Sequence, residues 1–262
     1  MNKIPKKIHY CWFGGNPLPE LAVKCIESWK KFCPDYEIIE WNESNFDLNY
    51  NDYVKEAFEA KKWAFITDVV RLYALVNYGG IYMDTDVEVI KPLDEFLSLE
   101  AFSGFESKSA IPTGIMAAEK GQKMFVELLE DYDGAHFLNQ DGSLDTTTNV
   151  VRITKRCLKY GLVLDNTKQT LNGFTLFPKE YFCPKDHFSG ELTISDNTYT
   201  IHHFDGSWHS PEQKYADKLK KKYGKYLPRK LAGRLACFRA ECKFIGFRKA
   251  VKNVFKKLKK KK

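Results

Sequence analysis

The sequence predicts an α/β fold: a mostly parallel sheet with helices on both faces. Short apolar runs alternate with stretches of helical spacing, the pattern of strand–helix–strand units. Gly and Pro punctuate the boundaries. The chain is also large and apolar enough to bury a sizeable core, with 262 residues, 44% hydrophobic and 15% aromatic, which excludes a largely disordered protein. No stretch reaches the ~18 apolar residues of an ordinary membrane-spanning helix.

The elements follow in order. Residues 6–12 (KKIHYCW) read as a first strand ended by Gly14-Gly15. Residues 17–32 place Leu18, Leu21, Ala22, Cys25, Ile26 and Trp29 at helical spacing, and Pro34 stops that helix. Residues 36–41 (YEIIEW) form a second strand. A helix over residues 63–77 gathers Phe65, Val69, Leu72, Tyr73 and Val76 on one face, and Gly79-Gly80 breaks it. Residues 81–90 (IYMDTDVEVI) read as one strand closed by Pro92. Further strands are expected at 101–105, 175–178 and 198–202, and helices at 122–131 and 148–160. There is no internal repeat and no Gly/Ser linker. Ligands of such sheets bind beyond the carboxyl ends of the strands.

Charge is divided along the chain. From Lys214 to Lys262 there are 20 Lys/Arg and two acids, Asp217 and Glu241, a net +18; the rest carries 21 basic and 32 acidic residues, a net −11. The expected domains are therefore an acidic body, 1–210, and a basic tail, 211–262. Residues 2–7 carry charge with no apolar run behind them, so no secretory signal is expected. Seven cysteines with no C-x-x-C pair indicate thiols in a reducing cytoplasm rather than a zinc site or a disulfide framework.

The residues suited to chemistry sit at strand ends. On a continuous strand Asp84 and Asp86 point the same way, about 7 Å apart. Two such carboxylates repel, and a hard divalent cation with oxygen ligands relieves the repulsion. A second Asp-x-Asp, Asp131-Tyr132-Asp133, ends a helix and reads as solvated charge. Asp68 and Arg71, spaced i, i+3, share a helix face among apolar neighbours. They form either an ion pair or a sugar- and phosphate-binding pair. His202 and His203 point to opposite faces of a strand, so at most one would hold a metal; a His/Trp cluster closing the domain is the alternative. Trp12 closes the first strand, where an open sheet holds a nucleobase, and a core tryptophan is the alternative.

Taken together, residues 4–15 (IPKKIHYCWFGG), 67–75 (TDVVRLYAL), 78–87 (YGGIYMDTDV) and 202–208 (HHFDGSW) resemble glycosyltransferase family 32. That family includes fungal initiating α-1,6-mannosyltransferases and bacterial capsule and lipopolysaccharide sugar transferases with an Asp-x-Asp sugar-binding region. The resemblance implies a Rossmann-like GT-A fold and a nucleotide-sugar donor, a UDP-sugar. It also implies a divalent metal, Mn²⁺ or else Mg²⁺, and transfer with retention to a glycan or lipid-linked saccharide hydroxyl in capsular or cell-surface polysaccharide synthesis. Position by position, Trp12 would stack on the base, Asp68 would hold donor sugar hydroxyls and Arg71 would reach sugar or phosphate. Tyr82 would flank ribose or phosphate. Asp84 would contact ribose, sugar or a metal-bound water, and Asp86 would bind the metal. His203, with Gly206 three residues on, and Ser207 would complete the metal shell, and Trp208 would lie near the leaving diphosphate. Asp84, Asp86 and Trp208 form the expected catalytic set.

In the tail, Leu231, Leu235, Phe238, Cys242 and Ile245 recur at four and three, and Val251, Val254, Phe255 and Leu258 follow. This predicts basic amphipathic helices interrupted at Gly246. Such helices lie on anionic membrane surfaces, so residues 228–262 are the expected contact with the inner face of the cell membrane. Nucleic acid is not an expected partner, since no binding motif accompanies the charge. Two other functions compete. An aspartate-nucleophile phosphatase suits Met83-Asp84-Thr85-Asp86 but needs the motif on the first strand and a later acidic pair. A non-catalytic membrane-binding protein explains the tail but not four ordered motifs.

Overall fold

In the computed structural model, which describes residues 2–107, 109–111, 114–206 and 209–259, the elements alternate as the sequence predicts. They are β1 (Lys7–Cys11), α1 (Glu20–Phe32), β2 (Glu37–Trp41), α2 (Asp52–Glu59), α3 (Trp63–Tyr78), β3 (Gly80–Met83), β4 (Val87–Val89), β5 (Ala101–Gly104), β6 (Ile115–Ala118), α4 (Lys123–Glu130), α5 (Asn149–Lys159), β7 (Gln169–Leu171), β8 (Phe174–Phe177), α6 (Lys179–Phe182), β9 (Thr200–His202), α7 (Pro211–Tyr223), α8 (Arg229–Ile245) and α9 (Phe247–Lys259).

Seven strands form one sheet in the order β2-β1-β3-β6-β5-β8-β7. β1 pairs in parallel with β2 and β3, and β5 with β8, whereas β6 and β7 run antiparallel to their neighbours. Five of the seven strands thus share one direction, the mostly parallel sheet that the sequence predicts.

Alternation along the strands fills two cores. Ile8, Tyr10, Ile81 and Met83 face α1, which buries Ala22, Cys25, Ile26 and Trp29. Cys11 and Tyr82 face the side covered by α2, α3, α4 and α5. The Trp29 indole donates from Nε1 to the Val87 carbonyl at 2.7 Å, which satisfies its polar end inside the core. The seven cysteines form no disulfide, and five are buried. No helix among the described residues is long and apolar enough to cross a membrane.

The structure corrects the expected strand over 81–90. β3 stops at Met83, and β4 leaves the main sheet to pair antiparallel with β9. Between them the backbone turns, with the Val87 amide donating to the Asp84 carbonyl at 3.0 Å. The apolar periodicity runs through this turn unbroken, which is why it reads as one strand. α2 and β6 were not expected either. β6 is four apolar residues (IMAA), too short to show a period, while α2 is capped by the Asn51 side chain accepting from the Val54 amide.

The chain forms two compact units: Met1–Pro184 with Thr193–His203, and Lys185–Leu192 with Phe204–Lys262. The second unit holds an earlier segment as well as the basic tail. Arg229 pairs with Asp186, and a Cβ on Gly224 would meet the Phe188 ring at 2.7 Å. In this unit α7 carries a full capping box at Ser210, and α8 and α9 are separated at Gly246, φ +86°, as the sequence predicts.

Candidate functional site

The site is built where α3 gives way to β3. That junction needs Gly79 and Gly80, both at positive φ: a Cβ would meet Lys120 N at 2.7 Å in the first case and the Lys7 carbonyl at 2.8 Å in the second. The turn that follows is pinned by the Asp84 amide donating to the Gly114 carbonyl at 2.8 Å and by the His203 amide donating to the Asp86 carbonyl at 3.0 Å.

This turn brings Asp84, Asp86 and His202 together, each offering a ligand atom, all within 4.8 Å of one another. The carboxylates are therefore closer than the strand argument requires. His202 Nε2 lies 3.3 Å from Asp86 Oδ1. Burial pushes the His202 imidazole down in pKa, but the charge of Asp86 and its hydrogen bond outweigh this, and the net shift is well upward. The expected histidine was His203. It lies instead with its Nε2 2.8 Å from Glu88 Oε2. The cause is register: β9 sets His202 opposite Val87, and the next side chain along the strand points to the other face.

Asp68 and Arg71 are both buried in α3. Arg71 Nη2 lies 3.5 Å from Asp68 Oδ1 and 3.3 Å from Asp84 Oδ1, so one guanidinium joins the helix carboxylate to the turn carboxylate. It also donates from Nε to the Thr67 carbonyl and stands over the Tyr82 ring at 4.5 Å. Burial pushes the Asp68 carboxyl up to about 6, against the opposing pull of Arg71 and of the Asn149 amide. That amide donates to Asp68 Oδ2 at 3.0 Å, and Asn149 Nδ2 donates to the Asp68 carbonyl at 3.1 Å. Asn149 Oδ1 is buried with no hydrogen-bond partner among the described residues.

The other expected residues divide. Tyr82 is 2% exposed, and its hydroxyl donates to Asp84 Oδ1 at 3.0 Å, so it positions a carboxylate from within the core rather than opening onto a ligand. Trp12 stands half-buried just past β1, its Nε1 donating to the Asn16 carbonyl at 2.6 Å, at the carboxyl end where the sequence puts the nucleobase. Ser207 and Trp208 lie outside the described residues, and Gly206 belongs to the second unit. Sequence reasoning missed Gly114, on which a Cβ would meet His202 Nδ1 at 2.8 Å. It also missed Glu106, just past β5, whose carboxyl is pushed up by burial against the charges of His202 and Lys179. Neither position carries a local motif.

Two carboxylates and an imidazole converging past the carboxyl end of β3 suit a hard-to-borderline divalent cation, and a buried Asp–Arg pair beside them suits sugar hydroxyls and phosphate. Over residues 19–103 the chain matches the family model for the glycosyltransferase sugar-binding region containing a DXD motif. It is 33% identical over 132 residues to inositol phosphoceramide mannosyltransferase 3 of Schizosaccharomyces pombe, covering 49% of this chain and 37% of that one. It is 27% identical over 131 residues to mannosyl phosphorylinositol ceramide synthase CSH1 of Saccharomyces cerevisiae, covering 48% and 35%. The chain thus spans little more than a third of these relatives. Among solved structures it is similar to the PaToxG glycosyltransferase, with TM-score 0.46 and 18% identity over 60% of this chain and 69% of that one.

Proposed function

We propose that this protein is a metal-dependent, retaining hexosyltransferase that moves a sugar from a nucleotide-sugar donor to a hydroxyl of a glycan or lipid-linked acceptor, in cell-surface polysaccharide synthesis. The observation that carries this reading is the convergence of Asp84, Asp86 and His202 beside the buried Asp68–Arg71 pair. UDP is the nucleotide that the family resemblance implies. The names of the fungal relatives, which transfer mannose to a phosphoinositol ceramide, favour a lipid-borne acceptor and add GDP-mannose to the donors worth testing.

Asp84, Asp86 and His202 would hold Mn²⁺ or Mg²⁺, which supplies Lewis-acid neutralisation of the charge that builds on a departing diphosphate. The protein's own residues do the rest. Arg71, fixed to Thr67 and above Tyr82, holds Asp84 in position. Asp68, ionised above about pH 6, accepts hydrogen bonds from donor hydroxyls while the Asn149 amide holds its other oxygen. Trp12 offers its ring to the base. The acceptor hydroxyl attacks the face from which the diphosphate leaves, with no nucleophile from the protein.

The test is incubation with Mn²⁺ and a panel of UDP- and GDP-sugars, following release of nucleotide diphosphate. One donor should be hydrolysed slowly, and D86A should abolish this; D86A turning over at the wild-type rate would remove the metal role. Linkage analysis of a transferred product would settle retention.

A further inference from the structure

The second unit leaves an apolar strip on its outside. At 100° per residue, Leu231, Leu235, Phe238, Cys242 and Ile245 fall on one side of α8. In a helix packed by its apolar stripe these would be the buried residues. Here the buried ones are Ala232, Ala236 and Ala240, about 140° around the helix from the strip. Leu231 is 52% exposed and Ile245 38%, and Phe247, at the start of α9, is 66% exposed. The small residues let α8 pack closely against α7 and α9; Leu231, Leu235 and Ile245 are left exposed, while Phe238 and Cys242 are half-buried.

The strip is bordered by cations. Lys230 and Arg234 run along one edge and Arg239 along the other. From Arg229 to Lys262 the sequence holds 14 Lys/Arg and a single acid, Glu241, so internal pairing cannot neutralise it.

We propose that this face of α8 is the surface by which the protein docks on an anionic lipid membrane, with Leu231, Leu235 and Ile245 entering the headgroup–acyl boundary and the flanking cations meeting lipid phosphates. An exposed aliphatic strip wants an apolar phase, and bordering cations want anions at its edge; an anionic bilayer offers both at the spacing of one helix. Each cation near such a surface adds about 1 kcal/mol. A second copy of the chain would bring two such basic faces together and be repelled. Nucleic acid would satisfy the charge but give the leucines nothing.

The experiment is flotation of the 262-residue chain with vesicles of phosphatidylcholine alone and of phosphatidylcholine with phosphatidylglycerol. Binding is expected only with the anionic lipid and should weaken as salt rises. L231E/L235E should weaken it on the order of tenfold or more, given what two partly inserted leucines contribute. V163E, an equally exposed change in the first unit, should leave it unaltered. Circular dichroism checks folding, and K230E/R234E, also at exposed positions, attacks the same face independently. Wild-type flotation by either double variant would overturn the proposal. So would a protein that ignores anionic vesicles but forms a dimer that L231E/L235E dissociates, or one that ignores them but binds duplex nucleic acid in the same salt. No readout requires sugar transfer, so failure here would leave the enzymatic reading untouched.

Discussion

Arg71 Nη2 lies 3.3 Å from Asp84 Oδ1 and 3.5 Å from Asp68 Oδ1, one buried guanidinium serving two carboxylates from different elements. Removing it strands both. R71M should therefore lose about 3–5 kcal/mol of stability, the usual cost of breaking a buried pair from one side, read as a lower urea midpoint. R71K keeps the charge but loses the planar fork that also reaches Thr67. It should fold, with a smaller stability loss, yet bind nucleotide sugar in Mn²⁺ more weakly by calorimetry. An R71M protein as stable as wild type would show that the two carboxylates need no counter-charge.

His202 and His203 are adjacent, and the structure gives them different neighbours: His202 stands with Asp84 and Asp86, and His203 with Glu88. H202A should weaken Mn²⁺ binding at least as much as loss of a supporting residue does, roughly 10–100-fold. H203A should leave it unchanged. Titration with Mn²⁺ followed by electron paramagnetic resonance separates the two, and equal losses from both would contradict the assignment.

The same pair shows how far the sequence could be read. Asp84, Asp86, Asp68 and Arg71 were legible because each sits in a local pattern: an apolar run, an i, i+3 spacing, a glycine break. The choice between the histidines was not, because it depends on the register of β9 against β4, a pairing more than a hundred residues apart in sequence. The turn at 84–86 was hidden for a different reason: apolar residues continue on both sides of it. Tyr82 was placed beside ribose or phosphate by the family resemblance alone, and a matching motif does not record that α3 covers the face on which it lies. Asn149 holds Asp68 from α5, again a contact that no local spacing records.

Gly114 has no room for a side chain. A Cβ there would meet His202 Nδ1 at 2.8 Å and Cε1 at 3.0 Å. In G114A the imidazole must give way, because the clash is with a ring held in a buried site, not with a flexible chain end. The expected cost is about 1–3 kcal/mol of overpacking, together with weaker Mn²⁺ binding from a displaced ligand. The double variant G114A/H202A should bind Mn²⁺ no more weakly than H202A alone. Additive losses would mean that Gly114 acts on the cation site by another route.

Asp68 sets opposite pH trends for stability and for donor binding. Burial raises its carboxyl to about 6 in the folded chain, more than Arg71 and the Asn149 amide lower it, while an unfolded Asp titrates near 3.9. Between these values the folded state holds the extra proton, so its contribution to stability is fully present below about pH 4 and is lost as pH rises through 6. The loss is of order 3 kcal/mol. Accepting hydrogen bonds from sugar hydroxyls needs the carboxylate, so donor affinity should instead rise over the same interval. D68N should abolish both slopes: its urea midpoint should lack this component of pH dependence between 4 and 6, and its residual donor binding should be flat there. Melting and calorimetric titration at matched pH would read the two trends side by side. A wild-type donor affinity that stays level from pH 7 down to 5 would remove Asp68 from the sugar-binding set.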